Sequence, residues 1–189
     1  PSFRPKNTRF HQFDAGLCCC SAEAQNIPFK DGIFSVLTSL HAIEHFGLGR
    51  YGDTLDPHGD IRGLKEFNRL LLPDGYFIGS VPVRGPNCEV INFNGERIYT
   101  TDIIDSLLDS AGFNIVDSKV VTSTDLFKKQ FPTPRKEFPD GYPASWVEKD
   151  DFNTILQSLE ADEIMQSMET NEYPISAYVW IAKKTIKEE

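Results

Sequence analysis

The sequence has no basic stripe, no long apolar run and no cysteine framework, and each absence removes a class of function. Nineteen Lys and Arg against 28 Asp and Glu leave a formal charge of −9 over 189 residues. A chain that follows a nucleic-acid backbone needs clustered cations to displace counterions from phosphate, so no nucleic-acid partner is expected. No stretch approaches the roughly 20 apolar residues that cross a bilayer. The opening PSFRPKNTRF also lacks the apolar core of a signal peptide. The expectation is a cytoplasmic protein with no membrane partner. Four cysteines, Cys18, Cys19, Cys20 and Cys88, lack the C-x-x-C spacing of structural zinc and form no disulfide framework. They read as small buried hydrophobes on strands. Residue 1 is Pro and not Met, which raises the expectation of a processed product or part of something longer.

What is present is ordinary for one globular domain over 1–189, with 40% hydrophobic and 25% charged residues. GLCCCSA (16–22) is a short apolar run leading into the loop EAQNIPFKDG, whose Pro28 and Asp31-Gly32 signal turns. IFSVLTSL (33–40) has the profile of a strand buried on both faces. In GDIRGLKEFNRLLLPDGYF, Ile61, Leu64, Phe67 and Leu71 recur at helical spacing, and Pro73-Asp74-Gly75 ends the pattern. YFIGSVPV is another buried strand. TTDIIDSLLDSAGF predicts a second helix, capped by Thr100 or Thr101 and stopped at Gly112. NIVDSKVV and AYVWIAKKT supply two more strands. This alternation argues for an α/β sheet with helices on both faces. Residues 123–174 interrupt it with a Pro-rich and aromatic stretch followed by one amphipathic helix, the composition of a cap or interface insert.

Between the first long strand and the first helix lies SLHAIEHFGLGRYGD (39–53), which gathers His41, Glu44 and His45. On a helix, His41 and His45 would share one face. That is the H-x-x-E-H arrangement of inverted zinc peptidases, in which two imidazoles hold zinc and the carboxylate activates water. Glycines at 47, 49 and 52 stop a regular helix soon after His45. A zinc hydrolase is therefore a distant alternative, and no metal site is expected.

Taken in order, EAQNIPFKDGIFS, SVLTSLHAIEH, KEFNRLLLPDGYFIGSVPV and TTDIIDSLLDSAGFNIVD resemble class I S-adenosylmethionine-dependent methyltransferases of the small-molecule kind. The resemblance covers about residues 15–121, with AYVWIAKKT fitting the final strand. LHAIEHFGLGRYGD together with INFNGERIY is further similar to an uncharacterised domain-of-unknown-function branch of these enzymes.

The resemblance implies a Rossmann-like methyltransferase fold and S-adenosylmethionine as cofactor, with a small-molecule or glycan-type acceptor. It implies adenine contacts at Glu23 and Ala24, and a lining for the methionine end of the cofactor at Ser39 and Leu40. Glu44, His45, Arg50 and Tyr51 would face the acceptor, with His41, Glu44 and His45 as candidates for catalytic proton removal. Against this stands a scaffold reading, in which Arg50 pairs with Asp53 to fix the glycine loop and His45 caps the strand. Ile27 and Phe29 read as core or pocket lining, and Ser35 departs from the family's usual Asp.

The family's opening strand and glycine-rich turn have no counterpart here, since PSFRPKNTRFHQFD contains no glycine. Two expectations follow. Either the chain is the later part of a longer methyltransferase, or it is a shortened relative acting as a non-catalytic interaction subunit. The second would act as a homo-oligomer or bind a partner chain through the 123–174 insert.

Overall fold

The computed structural model describes residues 22–83, 90–91, 95–123, 144–158 and 176–185. Cys18, Cys19, Cys20 and Cys88, most of GLCCCSA and much of the 123–174 insert lie outside the described residues. A five-stranded mixed sheet runs β1 (Phe34–Leu40), β2 (Leu71–Val83), β7 (Ser176–Lys184), β5 (Phe113–Ser123), β6 (Ala144–Val147). β1 and β2 are parallel, and the remaining pairs are antiparallel. The short pair β3 (Val90–Ile91) and β4 (Arg97–Ile98) stands apart. This is the α/β, Rossmann-like architecture that the resemblance implies, although the helices expected on both faces of the sheet lie, among the described residues, on one.

The first helix, α1 (Gly59–Leu70), carries the predicted apolar stripe but ends sooner than expected. Leu71 adopts an extended backbone, so Leu71 to Gly75 begin β2 instead of closing the helix. The Lys184 ammonium then donates to the carbonyls of Asn68 and Leu71 at 2.8 and 2.9 Å, satisfying groups left open at the helix end. The second helix, α2 (Thr101–Ser110), starts as predicted, with the Thr100 hydroxyl accepting from the Ile103 N–H at 3.3 Å. It stops at Gly112, whose φ of 86° suits a residue with no side chain. Of the insert, β6 and α3 (Lys149–Ser158) are described. The Lys149 ammonium bridges Asp102 and Asp105 of α2, and the Tyr178 hydroxyl donates to Asp105 at 2.8 Å, anchoring α3 to the domain.

All three described helices gather on one face, where Phe67, Phe77, Phe113 and Trp180 form an aromatic chain with ring centroids 5.2–5.9 Å apart. Leu64, Ile104, Leu108, Val120 and Phe152 complete this core. The expectation that IFSVLTSL is buried on both faces does not hold. Among the described residues β1 is an edge strand paired only with β2, and Val36 and Leu40 are 48% and 62% exposed. Tyr76 and Ile181 extend this open face across β2 and β7, in register with Val36 and with Thr38 through Ile78. A continuous apolar run records only that a segment can be buried. Whether a neighbour covers it depends on the rest of the sheet.

Gly79 of β2 lies directly beneath the Trp180 indole, and a Cβ there would fall 2.3 Å from the ring. The ring is fully buried and cannot swing away. Gly79→Ala is therefore expected to cost about 1–3 kcal/mol of stability through overpacking, read as a lower urea midpoint. Combining it with Trp180→Leu should recover part of that loss. An unchanged midpoint for the single variant would refute the packing assignment.

Candidate functional site

At the carboxyl end of β1 the chain leaves the sheet through His41, which sits at a positive φ of 48°. Non-glycine residues adopt this left-handed conformation only where their surroundings hold them in it. One such tie is visible, since the His41 N–H donates to the Ser80 carbonyl of β2 at 3.0 Å. A single 3-10 turn, Ile43–His45, follows. The H-x-x-E-H segment is thus not an α-helix, and the two histidines approach the same oxygen of Glu44. His41 Nδ1 lies 3.6 Å and His45 Nε2 3.8 Å from Glu44 Oε1. Among the described residues no group of three His, Cys, Asp or Glu is arranged to hold a metal ion.

Glu44 is the unusual group. Its side chain is 2% exposed, its Oε2 has no hydrogen-bond partner, and burial pushes its pKa up to about 7, with Glu96 adding to the rise. His41, half exposed, has its pKa lowered by desolvation, against the pull of Glu96. His45 Nδ1 lies 2.7 Å from the Gly95 carbonyl. A carbonyl only accepts, so this contact places a proton on Nδ1 and turns Nε2 toward Glu44. A carboxyl balanced between its two forms at neutral pH, with two imidazoles within 4 Å, can take up and pass on a proton.

The glycine loop that follows is held by one half-buried charge and one buried charge. Asp53 accepts from the N–H groups of Gly47, Gly49 and Tyr51 at 2.9, 3.2 and 3.2 Å. Gly47, Gly49 and Gly52 have φ of 76°, 73° and 82°, so the predicted helix break occurs through left-handed turns. Arg97, 3% exposed, donates to the carbonyls of Phe46, Asp56 and Pro57 at 2.5, 3.3 and 3.2 Å. It also pairs with Asp60, which accepts from the Tyr99 hydroxyl at 3.1 Å. The pairing of Arg50 with Asp53 considered from sequence does not form. Asp53 serves the backbone, and Arg50 donates to Gly95 O at 3.1 Å with its guanidinium over the Tyr51 ring. Tyr51 meets His45 edge-on at 5.6 Å.

His41, Glu44, His45, Arg50 and Tyr51 therefore converge. Ser39 is the last residue but one of β1, beside them in sequence, and its buried hydroxyl finds no partner among the described residues. Leu40 points to solvent. Glu23 and Ala24 lie on the loop before β1. Glu23 Oε1 accepts from the Thr54 hydroxyl at 3.3 Å, and Ala24 is buried. That loop is pinned to α1, where Arg69 donates to the carbonyls of Ile27 and Phe29 and the Ile27 N–H donates to Glu66. Ile27 is core, whereas Phe29 is 40% exposed. Sequence reading missed Arg97. It lies in INFNGERIY, but its carbonyl acceptors are 40 to 51 positions away.

Solved structures place this arrangement in context. A [4+2]-cyclase, SpnF, is similar with a TM-score of 0.51 at 14% identity, covering 88% of this chain and 55% of the cyclase. A methyltransferase from Thermotoga maritima, described as a possible histamine N-methyltransferase, has a TM-score of 0.46 at 19% identity, with 86% and 61% covered. For a Bacillus halodurans methyltransferase the figures are 0.49, 12%, 87% and 76%. The chain thus spans about half to three fifths of the length of the first two. The cyclase likeness bears on fold alone. No curated protein matches the chain significantly. A family described as "Caenorhabditis protein of unknown function, DUF268" matches residues 22–133, more than half of the sequence, and the chain belongs to that family.

Proposed function

We propose that this chain is a methyltransferase-like protein that presents an acceptor site at the carboxyl end of β1 and works with S-adenosylmethionine on a small-molecule or glycan-type acceptor. The observation that carries the reading is Glu44, a buried carboxyl with one unpaired oxygen and a pKa of about 7, flanked by two imidazoles where an open α/β sheet places its ligands. Perturbed, underused polar groups in such a place fit a site better than a scaffold.

The orphaned Ser39 hydroxyl fits a cofactor edge at the strand end, and Glu23, with Ala24 behind it, would take the adenine amino group. Leu40 would pack against the methionine portion. The cofactor, when bound, supplies an electrophilic methyl group on a cationic sulfur. The chain's own residues then align the nucleophile, which accounts for much of the rate in such a displacement, and accept its proton. Glu44 and His45 Nε2 would receive that proton, His41 would cover Glu44 from solvent, and Arg50 and Tyr51 would hold the acceptor's outer part.

A second reading, a non-catalytic interaction subunit, is favoured by the apolar face and uncharged edge that β1 leaves open among the described residues. Unprotected edges of this kind invite pairing. The 123–174 insert would add to the contact surface.

Three outcomes are expected. Calorimetric titration with S-adenosylhomocysteine should give saturable binding that weakens by about tenfold in Glu23→Ala, the loss of one good polar contact. No heat from the unaltered chain would sink the enzyme reading for these 189 residues. Second, folding leaves Glu44 protonated up to pH near 7, whereas the unfolded carboxyl ionises near 4.5. The folded state binds the extra proton in this window, so the Glu44 contribution to stability falls as pH rises through it and then levels off. Glu44→Gln should match the parent near pH 4.5 and exceed it by up to about 3 kcal/mol at pH 8. Parallel curves in pH-dependent urea unfolding would contradict the buried carboxyl. Third, on the subunit reading, Val36→Lys with Tyr76→Lys should convert an associating chain to a monomer in analytical ultracentrifugation. An unaltered sedimentation profile removes this face as a contact surface.

A further inference from the structure

Arg50 is a cation held in place with one edge unused. Its Nη1 donates to the Gly95 carbonyl at 3.1 Å, and its guanidinium lies 5.7 Å from the centroid of the Tyr51 ring. The same carbonyl lies 2.7 Å from His45 Nδ1, and Tyr51 meets His45 edge-on at 5.6 Å, so both supports of Arg50 are themselves tied to the site. Two such contacts restrain a long side chain that would otherwise sample many rotamers. They leave Nε and Nη2 without a protein partner among the described residues. Those two nitrogens form the side of the guanidinium on which a carboxylate or a phosphate makes two parallel hydrogen bonds. The counterion expected from the sequence is directed elsewhere. Asp53, three positions on, turns its oxygens to the N–H groups of Gly47, Gly49 and Tyr51. Glu44 is 2% exposed and faces the two imidazoles, and Glu96, next to Gly95 in sequence, forms no ion pair among the described residues. An arriving molecule therefore meets Arg50 at the rim, with the half-exposed His41 and Tyr51 beside it.

We infer that the acceptor at this site carries an anionic group, a carboxylate or a phosphate, and that the Nε–Nη2 edge of Arg50 binds it. The inference deepens the acceptor-site reading above and rests on it. A formal charge of −9 gives the chain no long-range attraction for an anion. The affinity comes instead from short-range hydrogen bonds to a guanidinium already in position, which loses little rotamer freedom when the anion arrives. Arg50 is a point of attachment and takes no part in methyl transfer. The anionic group therefore belongs to the outer part of the acceptor, and the atom to be methylated lies toward Glu44. A neutral sugar leaves this edge of Arg50 to water, and an ammonium group is repelled by it.

The test is an NMR titration of the nitrogen-labelled chain at pH 7 with glucose, glucuronate and glucose 6-phosphate, which share a sugar ring and differ in charge. At least one of the two anions should bind about tenfold tighter than glucose, as expected for a charge-assisted pair of hydrogen bonds, and should shift the Arg50 Nε–H signal. Binding of glucuronate alone assigns a carboxylate, and of glucose 6-phosphate alone a phosphate. Arg50→Gln, a change at an exposed side chain that should leave the fold intact, should remove the preference and leave glucose unaffected. Arg50→Lys, which keeps the charge and loses the fork, should restore only a minor part of it. Tyr51→Leu removes the ring that holds the guanidinium and should weaken the anion severalfold. Lys65→Gln, at an exposed cation of α1 outside the cluster, should change nothing. Glucose binding as tightly as both anions overturns the inference. So does an anion preference that survives Arg50→Gln or is lost equally in Lys65→Gln, or no binding by any of the three. Titration with S-adenosylhomocysteine separates the two levels. Binding of that ligand without anion preference overturns the anionic acceptor alone. Arg50-dependent anion binding without it keeps the anion subsite and overturns methyl transfer.

Discussion

The Arg97 guanidinium is the interaction on which the candidate site depends. A buried cation costs several kcal/mol unless its donors are nearly all used, and Arg97 meets that demand with three backbone carbonyls and the Asp60 carboxylate. The acceptors belong to the two ends of the glycine loop, Phe46 on one side and Asp56 and Pro57 on the other. Asp53 does the converse work inside the loop by collecting N–H groups. One cation and one anion thus satisfy a stretch of backbone that no helix or sheet supports. Without such satisfaction the buried start of the loop, Phe46 and Gly47, would leave polar groups unpaired. With it, Glu44 and His45, just before the loop, cannot relax toward solvent.

This explains how a carboxyl with a pKa of about 7 persists in the fold. Left to itself, Glu44 would turn outward and ionise. Ile43 and Phe46 on either side are buried, His45 is fixed by Gly95, and Arg97 holds the Phe46 carbonyl. The surrounding structure over-determines the position, and Glu44 carries the desolvation cost. Natural proteins break local rules of this kind chiefly where a site requires it. The same argument explains the Glu44→Gln expectation: the isostere retains the shape and sheds the charge.

Local chemistry was legible in the sequence, and pairing at a distance was not. Thr100 and Gly112 mark the ends of α2 because caps and left-handed residues act within a few positions. Gly47, Gly49 and Gly52 announced the end of any helix for the same reason. The end of α1 was misplaced because Pro73 and Gly75 look like a helix stop, whereas Lys184, more than a hundred positions on, satisfies the helix end three residues earlier. At the site, the gathering of His41, Glu44 and His45 follows from adjacency in sequence. The roles of Arg97 and Asp53 rest on where carbonyls and N–H groups point after folding. The resemblance to methyltransferases marked the segments as related without assigning those contacts.

The open face of β1 and the buried Glu44 pull in related directions. An α/β sheet gains stability by covering both faces, yet Val36, Leu40, Tyr76 and Ile181 leave one face of this sheet uncovered among the described residues. The covered face holds the aromatic chain from Phe67 to Trp180 and supports β2, against which β1 is registered through six residue pairs. Among the described residues β1 has one partner, and its carboxyl end is held by β2 and by the His41 N–H to Ser80 bond. Among the described residues the precision of the site therefore comes from β2, α1 and the Arg97 clamp. Covering that face would add stability to β1 while leaving the ties that position Glu44 unchanged, so the chemistry of the site and the occupancy of the face are separable properties of this fold.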